Sequence, residues 1–220
     1  WGDADMINFY NHHNEFILPL AANKKPCGES YNYYMKKWGC NYSIPFSAFH
    51  KYSRNDSINM NKFCTPLDEH YEKFNNKFGE MLPAFIKWNS NNETYQKINP
   101  NKNESNMLDS SQFGDNWSDD LDKSDKDEIK KYFYQFDQIK KKFGFLSFKV
   151  GNSELNLKFS NKKQGILFET PRNSFIYSIK NNIFDDLLIG NFMKVRLINV
   201  PSLYPDFTPY VTKYGDNGLS

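Results

Sequence analysis

Residues 16–50, "FILPLAANKKPCGESYNYYMKKWGCNYSIPFSAFH", carry the reading of the fold. "FILPLA" (16–21) is a short apolar run bounded by Pro26 and Gly28, which predicts a buried strand. "ESYNYYMKKW" (29–38) predicts a helix, and Gly39 behind it suits the left-handed cap. "YSIPFSAF" (42–49) predicts the next strand. Strand, helix and strand in such a short span make a βαβ unit, hence a parallel sheet. Functional groups in such sheets gather at the carboxyl ends of the strands. His50 stands at that position, followed by Lys51, Tyr52 and Arg54.

The bulk composition limits the function classes. The chain has 220 residues, 39% hydrophobic and 25% charged, with 20 Phe and 14 Tyr. That is enough for one or two domains with a substantial core. A net charge of +2 without a dense Lys/Arg stripe gives no footprint for nucleic acid. Its apolar runs fall far short of the 18 or more residues of a membrane span, so no membrane partner is expected. Cys27, Cys40 and Cys64 are widely spaced and odd in number, which predicts reduced thiols in a cytoplasmic compartment. The chain opens on Trp1, and a part of a longer protein is expected.

Downstream, "EMLPAFIKWN" (80–89) predicts another strand, and the polar stretch from 89 to 111 a connector. The expected domains are 1–113 and 114–220. In the second, Ser124 with Asp127 resembles a capping box, and Ile129, Phe133, Phe136, Ile139 and Phe143 recur at helical spacing up to Gly144. "FLSFKV" and "ELNLKF" alternate around Gly151-Asn152, a hairpin signal. "GILFET" predicts a third strand, Phe175 to Leu188 a helix, and "NFMKVRLINV" a last strand. Helix, three strands, helix and strand form a small α+β module, ending in an aromatic C-terminal tail.

Among polar candidates, His50 stands first. Its strand-end position suits a metal ligand, and Lys51, Tyr52 and Arg54 suit an anionic group on a substrate. Asp3 and Asp5 flank Ala4, so on an extended chain both carboxylates point the same way and suit a hard or borderline metal. His12 and His13 are adjacent and diverge on a helix. His70 reads as a surface histidine, and Asp185 and Asp186 as a solvated helix face. A catalytic zinc-type site takes about three protein ligands and an open position, and no HxHxD or HExxH cluster supplies them here.

"WGDADMINFYN", "FILPLAANKKP", "IPFSAFHKYSRNDS" and "MLPAFIKW" together resemble the C-terminal half of metallo-β-lactamase-fold proteins, in the group of L-ascorbate-6-phosphate lactonase and CMP-N-acetylneuraminate hydroxylase. "FDDLLIGNFMKVRL" with "SLYPDFTPYVTKYGDNG" resembles the distal segment of the hydroxylase-like chains. The order of elements in the second part is also similar to a sterol-carrier-type module. The resemblance implies the C-terminal half of an αββα sandwich followed by the α+β module. It implies a divalent metal, with zinc first and iron or manganese as alternatives. Gly2-Asp3 is similar to the family's Gly-Asp and His50 to its final histidine, with Asp5 competing with Asp3. The HxHxDH motif is absent, so the resemblance implies a partner in the N-terminal half of the same protein. The expected function is part of a metal-dependent hydrolase-like enzyme acting on a small anionic substrate. The alternative is a non-catalytic ligand- or partner-binding protein on the same fold.

Overall fold

In a computed structural model, which describes residues 8–19, 26–46, 50–99 and 106–212, Gly39 caps the first helix as expected. Its φ is +66° and its N–H reaches the carbonyl of Met35. The chain is mixed α/β. Its elements, in order, are β1 (Phe9–Tyr10), α1 (Cys27–Trp38), β2 (Tyr42–Ser43), β3 (Glu80–Met81), β4 (Ile86–Asn89), β5 (Thr94–Lys97), α2 (Lys123–Tyr134), α3 (Asp137–Lys142), β6 (Phe145–Val150), β7 (Ser153–Lys158), β8 (Gly165–Glu169), α4 (Arg172–Asn181), α5 (Phe184–Gly190), β9 (Lys194–Ile198) and α6 (Thr208–Val211). Among the described residues no helix is long and apolar enough to cross a membrane.

Two compact units share these elements, and neither is continuous in the chain. Of the described residues, the first takes 19, 26–46, 50–51, 61–99 and 106, and the second 8–18, 52–60 and 107–212.

In the first unit, α1 packs on the 3₁₀ turn Leu67–His70, with Tyr31, Met35, Phe63 and Leu82 buried. Gly28 permits the approach: a Cβ there would collide with the carbonyl of Glu72 and the nitrogen of Phe74. The expected βαβ unit does not form as read. Phe16 makes one isolated bridge to Tyr10, and Pro19, which has no N–H to donate, follows closely. β2 pairs in parallel with β3 instead, and ends before Pro45 for the same reason. Residues 20–21 and 47–49 lie outside the described residues. The expected strand 80–89 is two strands in two sheets. Pro83 and Phe85, at φ +56°, break it, after which β4 pairs with β5.

The second unit follows the expected order of elements. Its sheet runs β1-β9-β8-β6-β7, with β6–β8 and β1–β9 parallel and the other pairs antiparallel. Gly151, at φ +58°, turns the β6–β7 hairpin. Register sets one apolar face: Leu155, Phe148, Phe168, Val195 and Phe9 lie in one row across the strands, and Leu157, Leu146, Ile166 and Leu197 in the next. Ser147, Lys149, Asn156 and Arg196 alternate with them, so the sheet is amphipathic. The buried face joins Ile129, Phe133, Phe175, Ile179 and Phe184 of the helices in one core.

Both long helices expected here are broken. The first turns at Phe136, whose backbone (φ −86°, ψ 90°) leaves the helix as its ring enters the core, giving α2 and α3. The second breaks at Asn182, at φ +54°, giving α4 and α5. The capping box starts two residues earlier than read. Asp122 accepts from the N–H of Asp125 at 2.9 Å, and Asp125 returns the bond to the N–H of Asp122 at 3.1 Å.

Candidate functional site

His50 lies in the first unit, half-buried in an irregular segment. A 3₁₀ turn, Ile58–Phe63, ends with the N–H of Cys64 bonded to the carbonyl of Asn61 at 3.1 Å and brings the Cys64 thiol to the imidazole. His50 Nε2 and Cys64 Sγ are 3.7 Å apart, and Asn61 Oδ1 lies 4.0 Å from the same sulfur. Two ligands held tetrahedrally by one zinc ion, at usual Zn–N and Zn–S lengths, sit about 3.6 Å apart. The imidazole and thiol therefore have the separation of a nitrogen–sulfur ligand pair, and their softness suits zinc. Among the described residues no group of three or more His, Cys, Asp and Glu gathers around a metal position. Asp3 and Asp5 lie outside the described residues.

The residues after His50 divide between the units: Lys51 is exposed in the first, and Tyr52 and Arg54 belong to the second. Tyr52 is buried, and its hydroxyl accepts from Asn191 Nδ2 at 2.7 Å. Asn191 in turn holds Asn8, whose N–H donates to Asn191 Oδ1 at 3.2 Å and whose side-chain amide donates to the carbonyls of Asn191 and Met193. This polar chain fixes the end of β1 beside β9.

Arg54 directs its guanidinium inward. Nε and Nη2 make a bidentate pair with Asp56 at 3.0 and 2.8 Å, and Nη1 reaches Asp115 at 2.9 Å. The guanidinium carbon stands 3.9 Å from the centre of the Phe192 ring and 5.2 Å from that of Phe113. Burial pulls the guanidinium pKa down, but the bonds to Asp56 and Asp115 outweigh it and hold the pKa above its ordinary value. Asp115, whose side chain is fully buried, also accepts from the N–H and hydroxyl of Ser174 in the first turn of α4. Trp117 Nε1 donates to Asp56 at 3.0 Å. An arginine bound this way ties a loop to a helix start, whereas anion capture requires outward-facing donors.

The other histidines separate clearly. His12 and His13 are exposed with their rings 3.8 Å apart. His70, read as a surface residue, is buried because the turn carrying it packs on α1, and its Nδ1 lies 3.1 Å from the Tyr31 hydroxyl. Burial pushes the Tyr31 phenol up to about 12, and Cys27 and Tyr71 add to the shift. An acid whose folded pKa exceeds its unfolded value of about 10 contributes stability that is complete below pH 10 and is lost between pH 10 and 12. The urea midpoint of the first unit is expected to fall over that window, and to fall less in Tyr31→Phe. At neutral pH that variant is expected to lose about 1 kcal/mol with the bond to His70.

The first unit also holds a cavity of about 560 Å³, walled by Tyr31, Tyr34, Met35 and Trp38 of α1 and by Cys40 and Tyr42 beyond it. Compared with known proteins, no family model, no curated protein and no solved structure matches the chain. By sequence Cys64 reads as one of three reduced thiols and not as a ligand. Fourteen residues separate it from His50, and no short motif joins them; the turn between them makes the pair.

Proposed function

We propose that this chain supplies part of a metal-dependent, hydrolase-like site of the metallo-β-lactamase kind, acting on a small anionic substrate. The observation that carries the reading is the 3.7 Å separation of His50 Nε2 and Cys64 Sγ. The donor set fits the metal that the resemblance implies. His50 and Cys64 would hold zinc, or iron or manganese in its place, with Asp3 or Asp5 as a further ligand. The remaining ligands would come from the HxHxDH segment of the family. Bound there, such a metal supplies a Lewis acid and a water of lowered pKa. The chain's own residues hold and orient: Asn61 Oδ1 accepts from the Cys64 thiol at 4.0 Å and so orients it before it gives up its proton to become a ligand. Lys51 is the exposed cation nearest in sequence to His50 and would meet the substrate's anionic group.

Elemental analysis of the longest natural form tests the reading. Stoichiometric metal is expected in the parent protein, and at least a tenfold loss of retained metal in His50→Ala and in Cys64→Ala. After cobalt substitution a thiolate charge-transfer band is expected that Cys64→Ser abolishes. Metal retained in both alanine variants would end the assignment. A protein that takes up no metal in any form would pass to the second reading, a non-catalytic ligand- or partner-binding protein, which the aromatic cavity favours.

A further inference from the structure

The apolar stripe of α1 is longer than the core it serves. Tyr31, Tyr34, Met35 and Trp38 fall at i, i+3, i+4 and i+7 and so share one face. Tyr31 and Met35 are buried, at 9% and 3% exposure, whereas Trp38 at the far end is 66% exposed. Tyr34 and Trp38 stack with ring centres 4.7 Å apart and planes 28° from parallel, which presents a flat aromatic surface. Across the cavity stands Tyr42, braced by Trp88 at 4.9 Å and by a hydroxyl bond to Glu93. Cys40 places an exposed thiol at the same wall.

Two features set the chemistry of the occupant. The volume, about 560 Å³, lies within the range of small-molecule sites, and among the described residues no charged side chain lines the cavity. Aromatic walls of this kind also attract cations. Here, however, Lys36 and Lys37 stand on the same helix beside the stripe, over the rings of Phe78 and Tyr33, and Glu93 and Glu80 act on Tyr42, so the charges around the cavity offset and favour neither a cation nor an anion. We propose that this cavity is a binding site for an uncharged, flat aromatic ligand, which stacks on the Tyr34–Trp38 surface beside the Cys40 thiol. The site stands independently of the metal reading, since none of its lining residues is a proposed ligand.

N-phenyl-1-naphthylamine, an uncharged aromatic probe whose fluorescence rises out of water, tests it on the full chain. Saturable one-to-one binding is expected, weakened at least tenfold by Trp38→Ala, with the probe slowing N-ethylmaleimide modification of Cys40 read by peptide mass spectrometry. Trp38 is largely exposed, so the variant should retain its fold, which circular dichroism checks. Tyr42→Phe, which keeps the ring, is expected to bind as the parent does. Absent saturable binding, binding unchanged in Trp38→Ala, or Cys40 modified at full rate with probe bound would each overturn the proposal. Displacement by tetramethylammonium at the same concentrations as by naphthalene would also overturn it, in favour of a cation cage.

Discussion

Asp115→Ala is expected to destabilise the second unit by about 3–5 kcal/mol. The carboxylate is fully buried and holds Arg54 Nη1 at 2.9 Å and the N–H of Ser174 at 2.8 Å. Its removal leaves a buried guanidinium with Asp56 as its remaining carboxylate, and uncaps the first turn of α4, where a negative charge favours the helix. Loss of the cap alone costs about 1 kcal/mol; most of the effect comes from the stranded cation. Urea unfolding followed by tryptophan fluorescence measures it. A double-mutant cycle separates the causes. Arg54→Leu combined with Asp115→Ala is expected to cost less than the sum of the two singles, because the guanidinium that Asp115→Ala strands is then gone, while Asp56 keeps the Trp117 N–H. A double variant as unstable as the sum of the singles would assign the loss to packing instead.

The second large effect is expected at Phe184, where alanine should cost about 3–5 kcal/mol. Phe184 is fully buried, with ring centres at 5.2 Å to Phe133, 5.3 Å to Phe168, 6.0 Å to Phe175 and 6.0 Å to Phe207. Several of these contacts are edge-to-face, the arrangement the ring quadrupole favours. α2, β8, α4 and α6 with its preceding turn thus meet on one side chain, and a cavity there has rigid walls that cannot close. A fall in Tm on the order of 15 °C is expected in a thermal melt. Phe184→Leu, which fills much of the space, should lose well under half as much. Equal losses in the two variants would show that ring geometry, rather than volume, dominates.

The sheet of the second unit was legible in the sequence because its strands alternate, and a period of two survives only where one face is buried. Leu146, Phe148 and Val150, answered by Leu155 and Leu157 across Gly151, define a hairpin without outside help. The helix breaks were not legible, because the apolar residues on either side of Phe136 and Asn182 keep helical spacing while the backbone at those two positions departs from it. The first unit was harder to read. Its strands are two to four residues long, and the run 80–89 is apolar without pairing as one strand. His50 stood out by position, but its neighbour Cys64 is a product of the turn between them. Arg54 misled for a related reason: one sequence shows a cation after a strand, and whether its donors face out or in depends on Asp115, 61 residues on.

The pairing of β1 with β9 has a consequence for the order of assembly. Asn8 bonds the carbonyl of Met193 across 185 residues of chain, so the edge strand is made well before its partner. At about 5–20 residues per second, the Phe9 segment leaves the ribosome on the order of 10–40 s before β9 exists. During that interval its backbone donors and acceptors are an unpaired edge of the kind that recruits other strands. Closing so long a loop carries an entropic cost and slows the search. The nascent chain is therefore exposed to mispairing at β1 throughout that interval, and the sheet is sealed only when β9 emerges.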